Sequence, residues 1–171
     1  YVNEIVGDNY LTSPQFWTAD RKGKDREDMA EYKVKYNFAF AFSKSVHTCE
    51  YFHNSSFLEH GGSTEKAVRQ AFTSYLDSYM KANNKYLKNE AKIQFIDVED
   101  CLVLVSSSFS TQTSYENQTK KAITNKFIYD AAVDFLKHQL EVYFIEKPEE
   151  ANKICDQVLV NKRSRESAEK T

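Results

Sequence analysis

Polar and apolar positions alternate most cleanly between Glu31 and Ser43. Tyr32, Val34, Tyr36, Phe38, Phe40 and Phe42 share one parity, and Glu31, Lys33, Lys35 and Asn37 the other. A period of two places successive side chains on opposite faces, so this stretch predicts a half-buried strand. Its aromatic stripe could serve as a base-stacking platform. Six same-face apolar residues favour burial, so a core face is the preferred reading. Gln15–Ala19 reads as a shorter strand, and Asp20–Asp28 as a solvated loop of mixed charge. After a turn at Ser43–Ser45, His47–Phe52 reads as the next strand, paired with the first long one as an antiparallel hairpin.

The pattern then changes period. Thr64, Val68, Ala71, Phe72, Tyr75, Leu76, Tyr79 and Met80 recur at helical spacing, with Ser63 or Thr64 as a cap and Asn83–Asn84 as the stop. Lys66, Arg69 and Gln70 fall off that stripe, which leaves Arg69 facing solvent or a partner. Lys85–Lys92 is a polar connection, Gln94–Ile96 a short extended piece, and Asp97–Asp100 one helical turn whose carboxylates serve as caps. Cys101–Ser106 is apolar without alternation, as in a strand covered on both faces. Phe127–Glu146 predicts a long amphipathic helix. Pro148 stops it and opens a shorter one through Leu159, and Asn161–Thr171 reads as a polar exit linker. At the N-terminus Tyr1, Val2, Ile5 and Val6 sit at helical spacing before Gly7. The element order predicts an α+β two-layer sandwich with helices on one face of a mixed sheet.

Composition narrows the function classes. The 171 residues are 41% hydrophobic and 28% charged, with 12 Phe and 11 Tyr, which suits a globular core rather than a disordered chain. A net charge of −2 gives no global argument for nucleic acid. Cys49, Cys101 and Cys155 form no C-x-x-C pair, and reduced thiols in a cytoplasmic protein are expected. Cys49 and His53 lack a second ligand pair, so no metal site is expected. No apolar run is long enough for a membrane span. A chain starting at Tyr1 rather than Met is expected to be a piece of something longer.

The richest chemistry lies in Ser114–Ile123, S-Y-E-N-Q-T-K-K-A-I, between a predicted strand and a predicted helix. Polar loops in that position present groups to ligands. Lys120 can meet a phosphate as a point charge, Gln118 offers a donor and an acceptor, and Thr119 offers a hydroxyl. Asn117 tolerates the left-handed conformation of a tight loop tip.

Taken together, Gly61–Gly62, the helix bearing Arg69, the D-V-E-D turn, the buried strand, N-Q-T-K and the long helix resemble the transducer domain of the ATPase component of bacterial type IIA DNA topoisomerases, that is, of gyrase B and its topoisomerase IV counterpart. That family carries G-G-T-H-L before its arginine helix. Here the glycines match, whereas Ser63, Thr64 and Glu65 depart, and Asn117 stands where glycine usually precedes Q-T-K. Ile123 matches the family's leucine three residues beyond its lysine. This is a divergent likeness covering nearly the whole chain, with residues 1–160 as the transducer and 161–171 as the exit linker.

The resemblance implies a ribosomal-protein-like fold with a left-handed βαβ crossover and a C-terminal linker helix. It implies ATP bound mainly in a separate GHKL domain, reached by Lys120, Gln118 and Thr119, with Mg2+ in the parent enzyme and none held by this segment. It also implies Arg69 at a cavity for double-stranded DNA, an A-type partner subunit, and a homodimer of the parent. The segment alone is expected to be non-catalytic, since D-x-G-x-G is missing. The alternatives are a stand-alone α+β module binding nucleic acid or protein, or the second domain of a MutL-type GHKL ATPase.

Overall fold

The computed structural model describes residues 12, 14–24, 31–43, 47–54, 56–58, 62–110 and 126–169. The elements run β1 (Gln15–Gly23), β2 (Tyr32–Phe42), β3 (Thr48–His53), β4 (Ser56–Leu58), α1 (Ser63–Ala82), α2 (Phe95–Glu99), β5 (Leu102–Ser110), α3 (Lys126–Glu146) and α4 (Pro148–Glu169). The strands form a five-stranded mixed sheet in the order β1-β2-β5-β3-β4. Among the described residues only β3 and β5 pair in parallel, with Tyr51 beside Ser106. The α+β class and the mixed sheet agree with the reading of the sequence.

The aromatic stripe of β2 is the core. Tyr36, Phe38 and Phe40 are fully buried beside Trp17 of β1, with Phe72 and Leu76 of α1 and Phe135 and Leu136 of α3 over them. Trp17 meets Phe40 edge to face, with centroids 4.6 Å apart and planes at 72°. Each such ring contributes about 1.5–3 kcal/mol by leaving water, which sets the helix-covered side of the sheet.

Several expectations change. The hairpin between β2 and β3 does not form: β5 inserts between them, antiparallel to β2 and parallel to β3. Its non-alternating apolar run, Leu102–Leu104, suits that central place, since strands there bury both faces. Residues 20–23, expected in a charged loop, continue β1 in register with Tyr32–Lys35, with Asp20 and Lys22 exposed and Arg21 laid over the Phe135 ring. Phe95, expected in an extended piece, opens α2 instead. Its start is fixed by Asp97, whose Oδ2 accepts the Gln94 N–H at 2.9 Å, as the capping reading of that acidic cluster requires. The N-cap of α1 is Gly62, at φ 67°, a conformation any β-carbon would strain; Ser63 and Thr64 lie buried in the first turn. The polar tail continues helix α4 as far as Glu169. The helical reading of Tyr1–Asn9 lies outside the described residues.

Candidate functional site

Lys120, Gln118 and Thr119, with Asn117 and Ile123, lie outside the described residues. What the structure describes is how the residues on either side of 111–125 are held, Ser108–Ser110 before and Phe127–Ile128 after. On one side β5 ends at Ser110, and His53 bridges two of its hydroxyls. His53 Nδ1 lies 2.7 Å from Ser108 Oγ, and Nε2 lies 3.0 Å from Ser110 Oγ. Asn54, at φ 49°, adds three bonds: its backbone N–H donates to the Ser108 carbonyl, its Oδ1 accepts from the Ser110 N–H, and its Nδ2 donates to the Ser110 carbonyl. Burial pushes the His53 pKa down to about 4, so the ring is neutral near pH 7 and has one N–H to donate and one nitrogen to accept. Sequence reading weighed His53 only as a metal ligand. Its bridging role needs β5 alongside, and no local signal announces that.

On the other side α3 begins. Tyr36 of β2 donates its hydroxyl to the Ile128 carbonyl at 2.6 Å. Phe127 packs edge to face on Tyr32, 5.4 Å between centroids, and lies over Gly23. A β-carbon at Gly23 would fall 2.7 Å from Phe127 Cδ1, so glycine is what lets α3 sit down there.

Arg69 lies on the outer surface of α1, as its place off the apolar stripe predicts, and it is exposed. It is not loose. Nη2 pairs with Glu65 at 3.0 Å, and the guanidinium lies 5.4 Å from the ring centroid of Phe95. Lys66, Arg69, Gln70, Thr73, Phe95 and Tyr129 line a shallow cavity of about 440 Å³ around it. Such a surface can meet an anion through two cations and an amide, with no group poised for bond-making chemistry.

The thiols fit that reading. Burial pushes Cys49, Cys101 and Cys155 each up to about 12, which keeps them protonated and poor nucleophiles. Among the described residues no group of three His, Cys, Asp or Glu side chains comes together to hold a metal ion, and no helix is long and apolar enough to cross a membrane.

A cationic cluster on α4 locks onto the α1–α2 connection. The Lys162 side chain is fully buried and bonds Glu90 at 3.0 Å and Glu166 at 2.6 Å. Burial alone would lower its pKa, but these carboxylates outweigh it and raise it. Arg163 takes both oxygens of Glu90, at 3.1 and 3.0 Å, and holds that carboxyl down at about 2. Arg165 takes Asp97.

The family model described as DNA gyrase B matches residues 1–171. Among curated relatives, the DNA gyrase B protein of Metamycoplasma arthritidis is 29% identical over 170 residues, covering 98% of this chain and 26% of the relative. That of Thermotoga maritima is 25% identical over 149 residues, covering 87% and 23%. The chain thus spans about a quarter of the length of these relatives. The crystallised 43K ATPase domain of Thermus thermophilus gyrase B, in complex with an aminocoumarin, superposes with a TM-score of 0.81 at 17% identity. That match covers 98% of this chain and 43% of the other.

Proposed function

The chain belongs to the DNA gyrase B family, and from that premise we propose that it is the transducer of an ATP-hydrolysing type II DNA topoisomerase, coupling a nucleotide site in a neighbouring GHKL domain to DNA strand passage. The observation that carries the reading is the placement of Q-T-K. It lies, in chain order, between the central strand β5 and α3, in a chain that matches the family from end to end but carries no D-x-G-x-G.

In this reading Lys120 supplies a point charge to the γ-phosphate, Gln118 orients the same group, and Thr119 adds a hydroxyl. ATP and Mg2+ are held mainly by the neighbouring domain, where the metal offsets phosphate charge. A charge-assisted bond of this type contributes roughly 1.5–3 kcal/mol and vanishes when the γ-phosphate leaves. The held residues on either side then matter mechanically. A displacement of the segment 111–125 is delivered to the sheet centre through His53 and Ser108, and to α3 through Tyr36 and Ile128. Helix α3 passes it to α1, against which Phe144 packs at 5.2 Å from Tyr75 and 4.9 Å from Tyr79. Arg69 rides on α1 and faces the phosphates of a DNA duplex, a sequence-independent contact. An A-type subunit, a second copy of the parent protein and a cytoplasmic location complete the proposal.

The test is ATP turnover by the full-length parent and its Lys120→Ala variant, with and without DNA. Turnover should fall by about 10²-fold or more, the usual loss for one charge-stabilising group, while nucleotide binding is partly kept. Unchanged turnover would reject the assignment of Lys120.

A further inference from the structure

The helices cover one face of the sheet. The opposite face is closed at one end, where Ala41 and Val103 are buried, and open at the other, where it carries Phe16, Thr18, Asp20 and Lys22 from β1, Lys33, Lys35 and Asn37 from β2, and Ser107 and Phe109 from β5. We propose that this open face binds a single-stranded nucleic-acid segment, with bases stacked on Phe109 and Phe16 and phosphates taken by Lys22, Lys33 and Lys35.

Charge is the first argument. Lys22 and Lys33 are direct cross-strand partners, a like-charge pair that weakens a sheet, whereas Lys35 stands across from Asp20. Glu31 pairs with Lys22 at 3.2 Å. Lys33 and Lys35 form no ion pair among the described residues. Both line a cavity of about 510 Å³ with Asp20, Lys22, Phe109 and Ser110. Among the described residues Asp20 is the one carboxylate in that lining, against Lys22, Lys33 and Lys35; Arg21 belongs to the other face, over the Phe135 ring.

The aromatic residues decide which polyanion fits. Phe16 is 67% exposed and Phe109 39% exposed, on a face where the neighbouring side chains are lysines, Thr18, Asn37 and Ser107. A single exposed ring is ordinary surface. Two rings set on a diagonal across three strands, flanked by the Lys33 and Lys35 ammonium groups, combine the two elements that hold unpaired strands: stacking faces and a cationic track. From strand spacing and rise, the two rings stand about 16 Å apart, with Asn37 midway and able to donate to and accept from base edges. A duplex keeps its bases stacked on each other and has none to offer a phenyl ring. An acidic peptide would satisfy the lysines and leave both rings in water. The β2 stripe considered above as a stacking platform is spent in the core, so the face behind it is the one available for this role.

The proposal is independent of the nucleotide reading and is tested with this chain. Fluorescence anisotropy of a fluorescein-labelled oligothymidylate should show saturable binding at low salt. Its log–log salt slope should be about −2, for three phosphates at about −0.7 each. Phe109→Ala should weaken binding at least about fivefold, and Lys35→Glu should do likewise and flatten the slope. Lys153→Glu, on the exposed outer side of α4, should change neither. No saturable binding would overturn the proposal. So would a duplex of equal length binding as tightly, which would mark a general phosphate surface. So would polyglutamate displacing the oligonucleotide at equal charge with Phe109→Ala silent, which would mark an acidic-protein contact.

Discussion

Arg165 and Asp97 meet as a two-pronged pair across 68 residues, Nε to Oδ1 at 2.8 Å and Nη2 to Oδ2 at 3.2 Å. Asp97 is almost wholly buried, and it is the residue that caps α2. The pair therefore fixes the C-terminal half of α4 to the start of a short helix that could not hold itself. Arg165→Ala should lower stability by about 1.5–3 kcal/mol, the scale of hydrogen bonds to a charged group, read as the urea midpoint. Arg165→Lys should recover little, since an ammonium cannot span both oxygens. A midpoint unmoved by Arg165→Ala would mean that the tail is not fastened there.

His53 sets a pH dependence. Its folded pKa lies near 4 against an ordinary 6.5, so between those values the unfolded chain binds the extra proton. Stability contributed by the neutral ring is complete above about pH 6.5 and is lost as pH falls toward 4, by on the order of 3 kcal/mol. Denaturation midpoints measured across that window should slope upward with pH, and His53→Gln should flatten the slope. An equal slope in the variant would assign the effect to other groups.

Gly23 and Phe127 predict a steric coupling. Gly23→Ala drives a β-carbon into the ring and should cost about 1–3 kcal/mol. Phe127→Leu should be destabilising alone yet cost less in the Gly23→Ala background. A double-mutant cycle on thermal unfolding reads that difference, and strict additivity would contradict the contact.

Glu65 and Arg69 should act in opposite directions on DNA. A phosphate must compete with the Glu65 carboxylate for the guanidinium. Glu65→Gln should therefore tighten duplex binding by the full-length parent, whereas Arg69→Ala should loosen it and reduce the salt slope by about 0.9. Identical effects of the two changes would remove Arg69 from the interface.

The legible parts of the sequence were those where period alone decides. β2, α1 and α3 bury one side each, so their apolar residues recur at a fixed interval. Pairing was not legible in that way. Nothing between Tyr32 and Phe52 says that β2 and β3 are separated by a strand arriving at Leu102. The tail misled through composition: Asn161–Glu169 is polar because Lys162, Arg163 and Arg165 find carboxylates on the α1–α2 side of the fold. Arg69 was placed by its absence from the α1 stripe. His53 was noticed for the wrong chemistry, since its serine partners lie 55 and 57 residues on.

The position of β5 also dictates an order of assembly. Of the described strands the central one is the last to leave the ribosome, and its pairings with β2 and β3 each span a long loop of chain. Until it arrives, β1–β2 and β3–β4 are separate hairpins, each with an unpaired edge where β5 will lie. Two-stranded ribbons of that kind are marginal in water and prone to join with strangers. Nucleation thus waits on a distant contact, which makes folding slow for the chain's size. A nascent chain stalled before Leu102 would be a substrate for chaperones rather than a half-built domain.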